Sequence, residues 1–405
     1  MAHKMLLTEL PDEILSMIVQ AADRDLKTLS SLSLVCRALL PVVREHMFTV
    51  VNARALEEAC MRPYLVHITE LQIGKPDIAA YARDTADCRF IPLLSSCALP
   101  KLRSLHIINN YTWFYVDAHP ALYETMLTLT SVTGLTLSCK VFFVDLQHLQ
   151  TMVCALPNLA QLSLGFISFD FSTNRDTPEG YTQVAERISP LTSVRPKLST
   201  LSMIPSLYSD AVAGWLGSGL SKHSLSTLCI PPNSMFPYIV LQYFGPNIQH
   251  LHLPLNDMQN YTYLYAPCLG TYTSLRTLTI FLGARSNSPR AWELSLLVLE
   301  DWLPAEHLET VTIDMRIPPQ NHICGAYTAE IDWDILAQLD EVLVGPKFVT
   351  LRTVEVFVQA TTQRDCVEEI RDVIVTRIEE CMKRLAAGKL VASARGLRNA
   401  GSSTG

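Results

Sequence analysis

The chain has 405 residues, 49% of them apolar, and a net charge of −7 from 32 basic and 39 acidic side chains. This composition suits a globular chain with a large core, built as two or three average domains or one extended repeat domain. It argues against nucleic-acid binding, since no basic stripe interrupts the acid excess. It argues equally against a membrane span, since no apolar run reaches the roughly 18 residues such a helix needs.

The first informative stretch is Leu10-Pro11-Asp12-Glu13-Ile14-Leu15, continued by Ile18-Val19. Proline suits a first helical turn, where its missing N–H is no loss. Asp12 and Glu13 then set negative charge at the positive end of the helix dipole. Ile14, Leu15, Ile18 and Val19 fall on one face at helical spacing. Leu29, Leu32 and Val35-Cys36 repeat that spacing on a second helix, which closes with Ser33-Leu34-Val35-Cys36-Arg37. A unit this small is marginal alone. Its apolar stripes need cover from a neighbouring domain or from another protein.

This stretch resembles an F-box of the kind common in fungal proteins. The opening Leu10-Pro11-x-Glu13-Ile14-Leu15 and the closing Ser33-Leu34-Val35-Cys36-Arg37 carry the resemblance, which covers about a tenth of the chain. Two departures stand out. Ala38-Leu39-Leu40 occupies the place of a Trp that many F-boxes carry after Cys-Arg, and the segment from Asp25 to Leu34 is a little long. The resemblance implies binding to the Skp-type adaptor of a cullin–RING (SCF) ubiquitin ligase. The expected adaptor contacts are Leu10, Pro11, Ile14, Leu15 and Ile18 from the first helix, with Leu34, Val35 and Cys36 from the second. The alternative is an ordinary helical hairpin packed on the rest of the chain.

Beyond this point the chain repeats an apolar-x-x-apolar-x-apolar unit ten times, from Ile68-x-x-Leu71-x-Ile73 to Leu351-x-x-Val354-x-Val356. The central apolar residues lie 23 positions apart at the closest (Leu228 to Leu251) and 43 at the widest (Val311 to Val354). Several units share a lead-in such as Leu99-Pro100-Lys101-Leu102 or Gly245-Pro246-Asn247-Ile248. The alternation in each unit suits a half-buried strand, and the leading apolar residue turns the chain inward. Stretches at helical spacing lie between, as at Leu146, Leu149, Met152 and Val153. The pattern is similar to a degenerate leucine-rich repeat, whose units bury their apolar faces by stacking.

From Arg364 to Leu390 the spacing predicts one amphipathic helix, with Val367, Ile370, Val373, Ile374 and Ile378 as its stripe. It is expected to cap the open edge of the last repeat. The expected fold is therefore α/β, with an N-terminal helical F-box (5–50) and an irregular leucine-rich-repeat solenoid, or horseshoe (51–360). A C-terminal capping helix (361–392) and a disordered tail (393–405) complete it.

In such a horseshoe the alternate strand residues face one side. Here they are mostly small and neutral, among them His106, His250 and His252. Such a surface binds by shape and hydrogen bonding; equally, Ser and Thr simply suit strands. Aromatic residues, Trp113 and Phe114 among them, follow one strand and suit a protein interface or a loop anchor. His106, Trp113, Phe114, His250 and His252 are the expected partner contacts.

No catalytic constellation is legible. His250 and His252 share a strand face, but two imidazoles without carboxylate or thiolate neighbours make a poor metal site. Gly214-Trp215-Leu216-Gly217-Ser218-Gly219 is followed by Leu220, where a phosphate loop needs Lys. Eleven cysteines lack zinc spacing, and no secretory leader is visible. The expectation is an intracellular protein, cytoplasmic and/or nuclear, that is not an enzyme and needs no cofactor or metal. It would recruit an unidentified protein substrate to the adaptor and through it to a cullin, without nucleic-acid or membrane partners. The alternative is a non-enzymatic binding scaffold with no role in ubiquitin transfer.

Overall fold

All ten apolar triplets are sealed from solvent, from Ile68, Leu71 and Ile73 to Leu351, Val354 and Val356. The computed structural model describes residues 10–21, 26–35, 37, 39–52, 55–56, 59–73, 94, 99–108, 120–138, 141–143, 145–169, 196–206, 208–232, 234, 237–255, 262–282, 289–317, 331–360 and 367–396. The chain divides into two compact units, Met1–Pro196 and Lys197–Gly405.

The first unit opens with three helices, α1 (Asp12–Gln20), α2 (Leu26–Val35) and α3 (Leu39–Met47). The strands are β1 (Val50–Asn52), β2 (Glu70–Ile73), β3 (Ser104–Ile108), β4 (Gly134–Ser138), β5 (Val141–Phe143), β6 (Gln161–Leu164) and β7 (Ile167–Phe169). Between them lie α4 (Pro120–Thr128) and α5 (Leu146–Ala155). β1, β2, β3, β4 and β6 pair in that order, each pair parallel, while β5 and β7 pair with each other. Register sets Val51, Leu71, Leu105, Leu135 and Leu162 in one row across the strands. Parallel pairing requires long crossovers, and these spacings supply them. α5 starts at Asp145, whose carboxylate accepts from the His148 N–H at 2.9 Å, an N-cap.

The second unit alternates strands and helices. It contains β8 (Thr200–Met203), α6 (Ser209–Ser218), α7 (Ser221–Ser224), β9 (Thr227–Cys229), α8 (Tyr238–Leu241), β10 (His250–Leu255), α9 (Thr262–Leu269) and β11 (Thr277–Leu282). There follow α10 (Pro289–Leu297), which runs into a π-helical turn (Val298–Trp302), then β12 (Thr310–Ile317), α11 (Trp333–Val344) and β13 (Thr353–Ala360). α12 (Val367–Cys381), α13 (Lys383–Ala386) and β14 (Leu390–Gly396) end it. Its seven strands pair in chain order, all parallel, with Leu201, Leu228, Leu251, Leu278, Val311, Val354 and Leu390 in one row. Each fully buried Leu contributes about 1.5–3 kcal/mol relative to exposure.

The glycine-rich run lies in α6 and its C-cap Gly219. A methyl group on Gly217 would fall 2.8 Å from Tyr243 Cβ, so the missing side chain is what lets Tyr243 lie against the helix. The Tyr243 hydroxyl donates to Asp210 Oδ1 at 2.7 Å and fixes that approach.

The α/β class stands, but the expected architecture does not. In place of a helical F-box followed by a leucine-rich-repeat horseshoe and a capping helix, fourteen strands among the described residues pair in the parallel sense, seven in each unit. The helices at the front run straight into β1, which joins the first unit's sheet. The terminal helix is no cap: α12 ends at Cys381, and β14 follows and pairs with β13 from Val354↔Leu390 to Ala360↔Gly396. Part of the expected tail, Ser393 to Gly396, is thus strand, and 397–405 lie outside the described residues. The physical reason is that the triplet reports a parallel strand with one buried face. That is a local property, and it does not fix how strands and helices are arranged beyond their immediate neighbours.

Candidate interaction surfaces

The three front helices close on a core of Leu15, Val19, Leu29, Leu39 and Val43, with Leu10, Leu32, Val42 and Met47 packed around it. α3 packs on both α1 and α2. The small bundle therefore has its own interior, and this splits the expected adaptor contacts. Leu15 is 1% exposed and Leu10 is half-buried against the core, so both hold the bundle together. Ile18 is half-buried. Pro11 is exposed, Ile14 is 41% exposed, Leu34 85% and Val35 55%. Met17, missed in the sequence reading, is 64% exposed one turn from Ile14. Cys36 lies outside the described residues.

α3 and Phe48 just after it also tie the bundle to the segments that lead into β2 and β3. Phe48 stacks on Tyr64 with ring centroids 4.2 Å apart, and the Arg44 guanidinium lies over the same ring at 5.7 Å. Glu45 Oε1 takes Lys101 Nζ at 3.2 Å and His67 Nδ1 at 3.5 Å. The hydrogen bond from Lys101 is the main cause that holds the Glu45 carboxyl below its ordinary 4.5; partial burial opposes it, and the Lys101 and His67 charges add to it. A depressed carboxyl contributes stability above its ordinary value and loses that contribution as pH falls through the lowered one. Urea unfolding followed across the acid range is therefore expected to weaken below pH 4.5. Glu45→Gln is expected to flatten part of that slope. The effect is small, because the pair is half exposed.

The polar sides of the strands form a second surface in each unit. In the first, His106 Nε2 faces Glu70 Oε1 at 3.7 Å across β2 and β3. In the second, one row runs Thr200, Thr227, His250, Thr277, Thr310, Thr353. Beside it lies Ser202, Cys229, His252, Thr279, Thr312, Glu355. These side chains are engaged with each other. His250 Nδ1 lies 2.8 Å from Thr277 Oγ1, His252 stacks with Phe281 at 6.1 Å, and the Thr312 hydroxyl donates to Glu355 at 3.0 Å. Burial, reinforced by His250, lowers the pKa of His252; burial raises that of Cys229. A neutral imidazole beside a protonated thiol is a hydrogen-bonding surface and a poor nucleophile pair. Trp113 and Phe114 lie outside the described residues.

Among the described residues no group of three or more His, Cys, Asp or Glu is placed to hold a metal ion. Among them, too, no helix is long and apolar enough to cross a membrane. Set against models of known protein families the chain matches none, and no curated protein matches it.

Proposed function

We propose that the protein is a substrate-recruiting F-box subunit of an SCF-type ubiquitin ligase. The observation that carries this reading is the exposed aliphatic set Ile14, Met17, Leu34 and Val35 around a bundle whose own interior is already filled. Large exposed aliphatic side chains on a preformed helical unit mark a place where another protein docks. Their sequence context is the one that resembles an F-box, so the partner is a Skp-type adaptor and, through it, a cullin. The polar strand faces, with His106 in one unit and His250 and His252 in the other, are assigned to the protein target. Ubiquitin transfer then follows from raised local concentration, and the chain itself breaks no bond.

The rival reading is a binding scaffold with no part in ubiquitin transfer. It is favoured by the burial of Leu15 within the bundle and the packing of Leu10 against the same core, which leaves fewer anchors for an adaptor. The two separate by capture on purified Skp-type adaptor. The double variant Ile14→Asp with Leu34→Asp alters only exposed positions, so circular dichroism and the unfolding midpoint stay as in the parent chain. An interface anchor is worth about 2 kcal/mol or more, so capture is expected to drop at least about 30-fold. Capture that survives the double change leaves the scaffold reading and removes the ligase one.

A further inference from the structure

The second unit carries a cleft of about 580 Å³ at the N-terminal ends of its last strands. Arg276, Glu309 and Arg352 stand immediately before β11, β12 and β13, whose first residues Thr277, Thr310 and Thr353 are in register. With strands roughly 4.8 Å apart, the two arginines flank the glutamate on a fixed comb. The comb is held by backbone hydrogen bonds: Glu309 N–H to Arg276 O at 2.8 Å, and Arg352 N–H to Glu309 O at 2.8 Å. Lys389, His307 and Val349 complete the cleft.

The charges do not balance. Glu309 takes Arg276 at 3.3 Å, while Arg352 and Lys389 make no ion pair among the described residues. Three cations against one carboxylate leave a surplus of two positive charges at neutral pH, in a chain whose total is −7. We propose that this cleft is a binding site for a phosphate monoester. A dianion matches two surplus cations, the Arg352 fork matches paired phosphate oxygens, and Lys389 adds a point charge. Val349, 77% exposed at the same cleft, gives the carbon skeleton behind the phosphate an apolar seat. The volume suits a ligand of small-molecule size. Among the described residues no Phe, Tyr or Trp lines the cleft to stack a base, and the acidic chain repels a polyanion at range, so a nucleic acid does not fit. The phosphate comes either on a small molecule or on a phosphorylated side chain of another protein. This site stands independently of the adaptor-binding reading.

The test is calorimetric titration of the full chain with phenyl phosphate, with a phosphoserine peptide and with its unphosphorylated counterpart. Saturable binding of a phosphorylated probe is expected, and R352Q/K389Q is expected to weaken it at least tenfold, with the unfolding midpoint unchanged. Glu309→Gln releases Arg276 and is expected to tighten binding, a gain that misfolding does not produce. Preference for phenyl phosphate assigns a small-molecule source, and preference for the phosphopeptide assigns a protein source. Two results overturn the site: no phosphorylated probe binds at millimolar concentration, or affinity is indifferent to R352Q/K389Q.

Discussion

Leu15→Ala is expected to destabilise the front bundle by about 2–5 kcal/mol. Leu15 is 1% exposed and shares one core with Val19 on its own helix, Leu29 on α2 and Leu39 and Val43 on α3. Removing its isobutyl group opens a cavity where all three helices converge, and a bundle of this size has little surplus stability to absorb the loss. Adaptor capture falls with it, because a frayed α1 no longer presents Ile14 and Met17. Ile14→Ala, one position away and 41% exposed, is expected to leave the unfolding midpoint within about 0.5 kcal/mol of the parent while capture alone weakens. The pair of variants separates residues that build the bundle from residues that meet the partner. Circular dichroism during urea unfolding, run beside capture on the adaptor, reads both. An unchanged midpoint in Leu15→Ala would show that the five-residue core does not hold these helices together.

The strands were legible because burial imposes a period of two that no other element shares. Each triplet, such as Leu275, Leu278 and Ile280, is a buried row interleaved with residues like Thr277 and Thr279. The front helices were legible for the matching reason at a period of 3.6. The pattern failed where it was too short or too small. β14 reads Leu390-Val391-Ala392-Ser393-Ala394-Arg395-Gly396, with alanines where larger side chains would mark a buried row, so its pairing with β13 left no clear period. The break before it lies at Met382, outside the αR region at φ −105°, ψ 48°, with no Pro or Gly to announce it. Nor does periodicity tell which members of a stripe face inward. Ile14 and Leu15 both belong to the apolar stripe of α1, yet one is exposed and the other sealed, because α2 and α3 approach from one side only. The basic cleft escaped the sequence altogether. Arg276, Arg352 and Lys389 are separated by tens of residues, and only strand register brings them together.

Register also decides the fate of the last strand, and one buried carboxylate holds the approach to it. Asp340, on α11, is 4% exposed. Its Oδ1 accepts from the Leu385 N–H at 2.9 Å and its Oδ2 from the Arg384 N–H at 3.1 Å, so it caps α13 from outside. α13 in turn delivers the chain to β14, with the Lys389 N–H bonded back to Leu385 O at 2.8 Å and the Val354 N–H of β13 to Lys389 O at 2.8 Å. Asp340→Ala is expected to cost about 2–4 kcal/mol, the loss of a cap together with two backbone donors left without acceptors. The neighbouring Arg384–Glu341 pair, 3.0 Å apart and exposed on both sides, cannot compensate; Glu341→Ala is expected to cost no more than about 0.5 kcal/mol. Because β14 pairs with β13 alone among the described strands, the damage is local before it is global, and hydrogen exchange separates the two. Amides of β14 are expected to lose protection in Asp340→Ala while those of β10 and β11 keep theirs. Asp340→Asn retains one carbonyl acceptor and should fall between the parent and the alanine variant. Parent-like protection of β14 in Asp340→Ala would mean that the strand is held by its ladder to β13 alone.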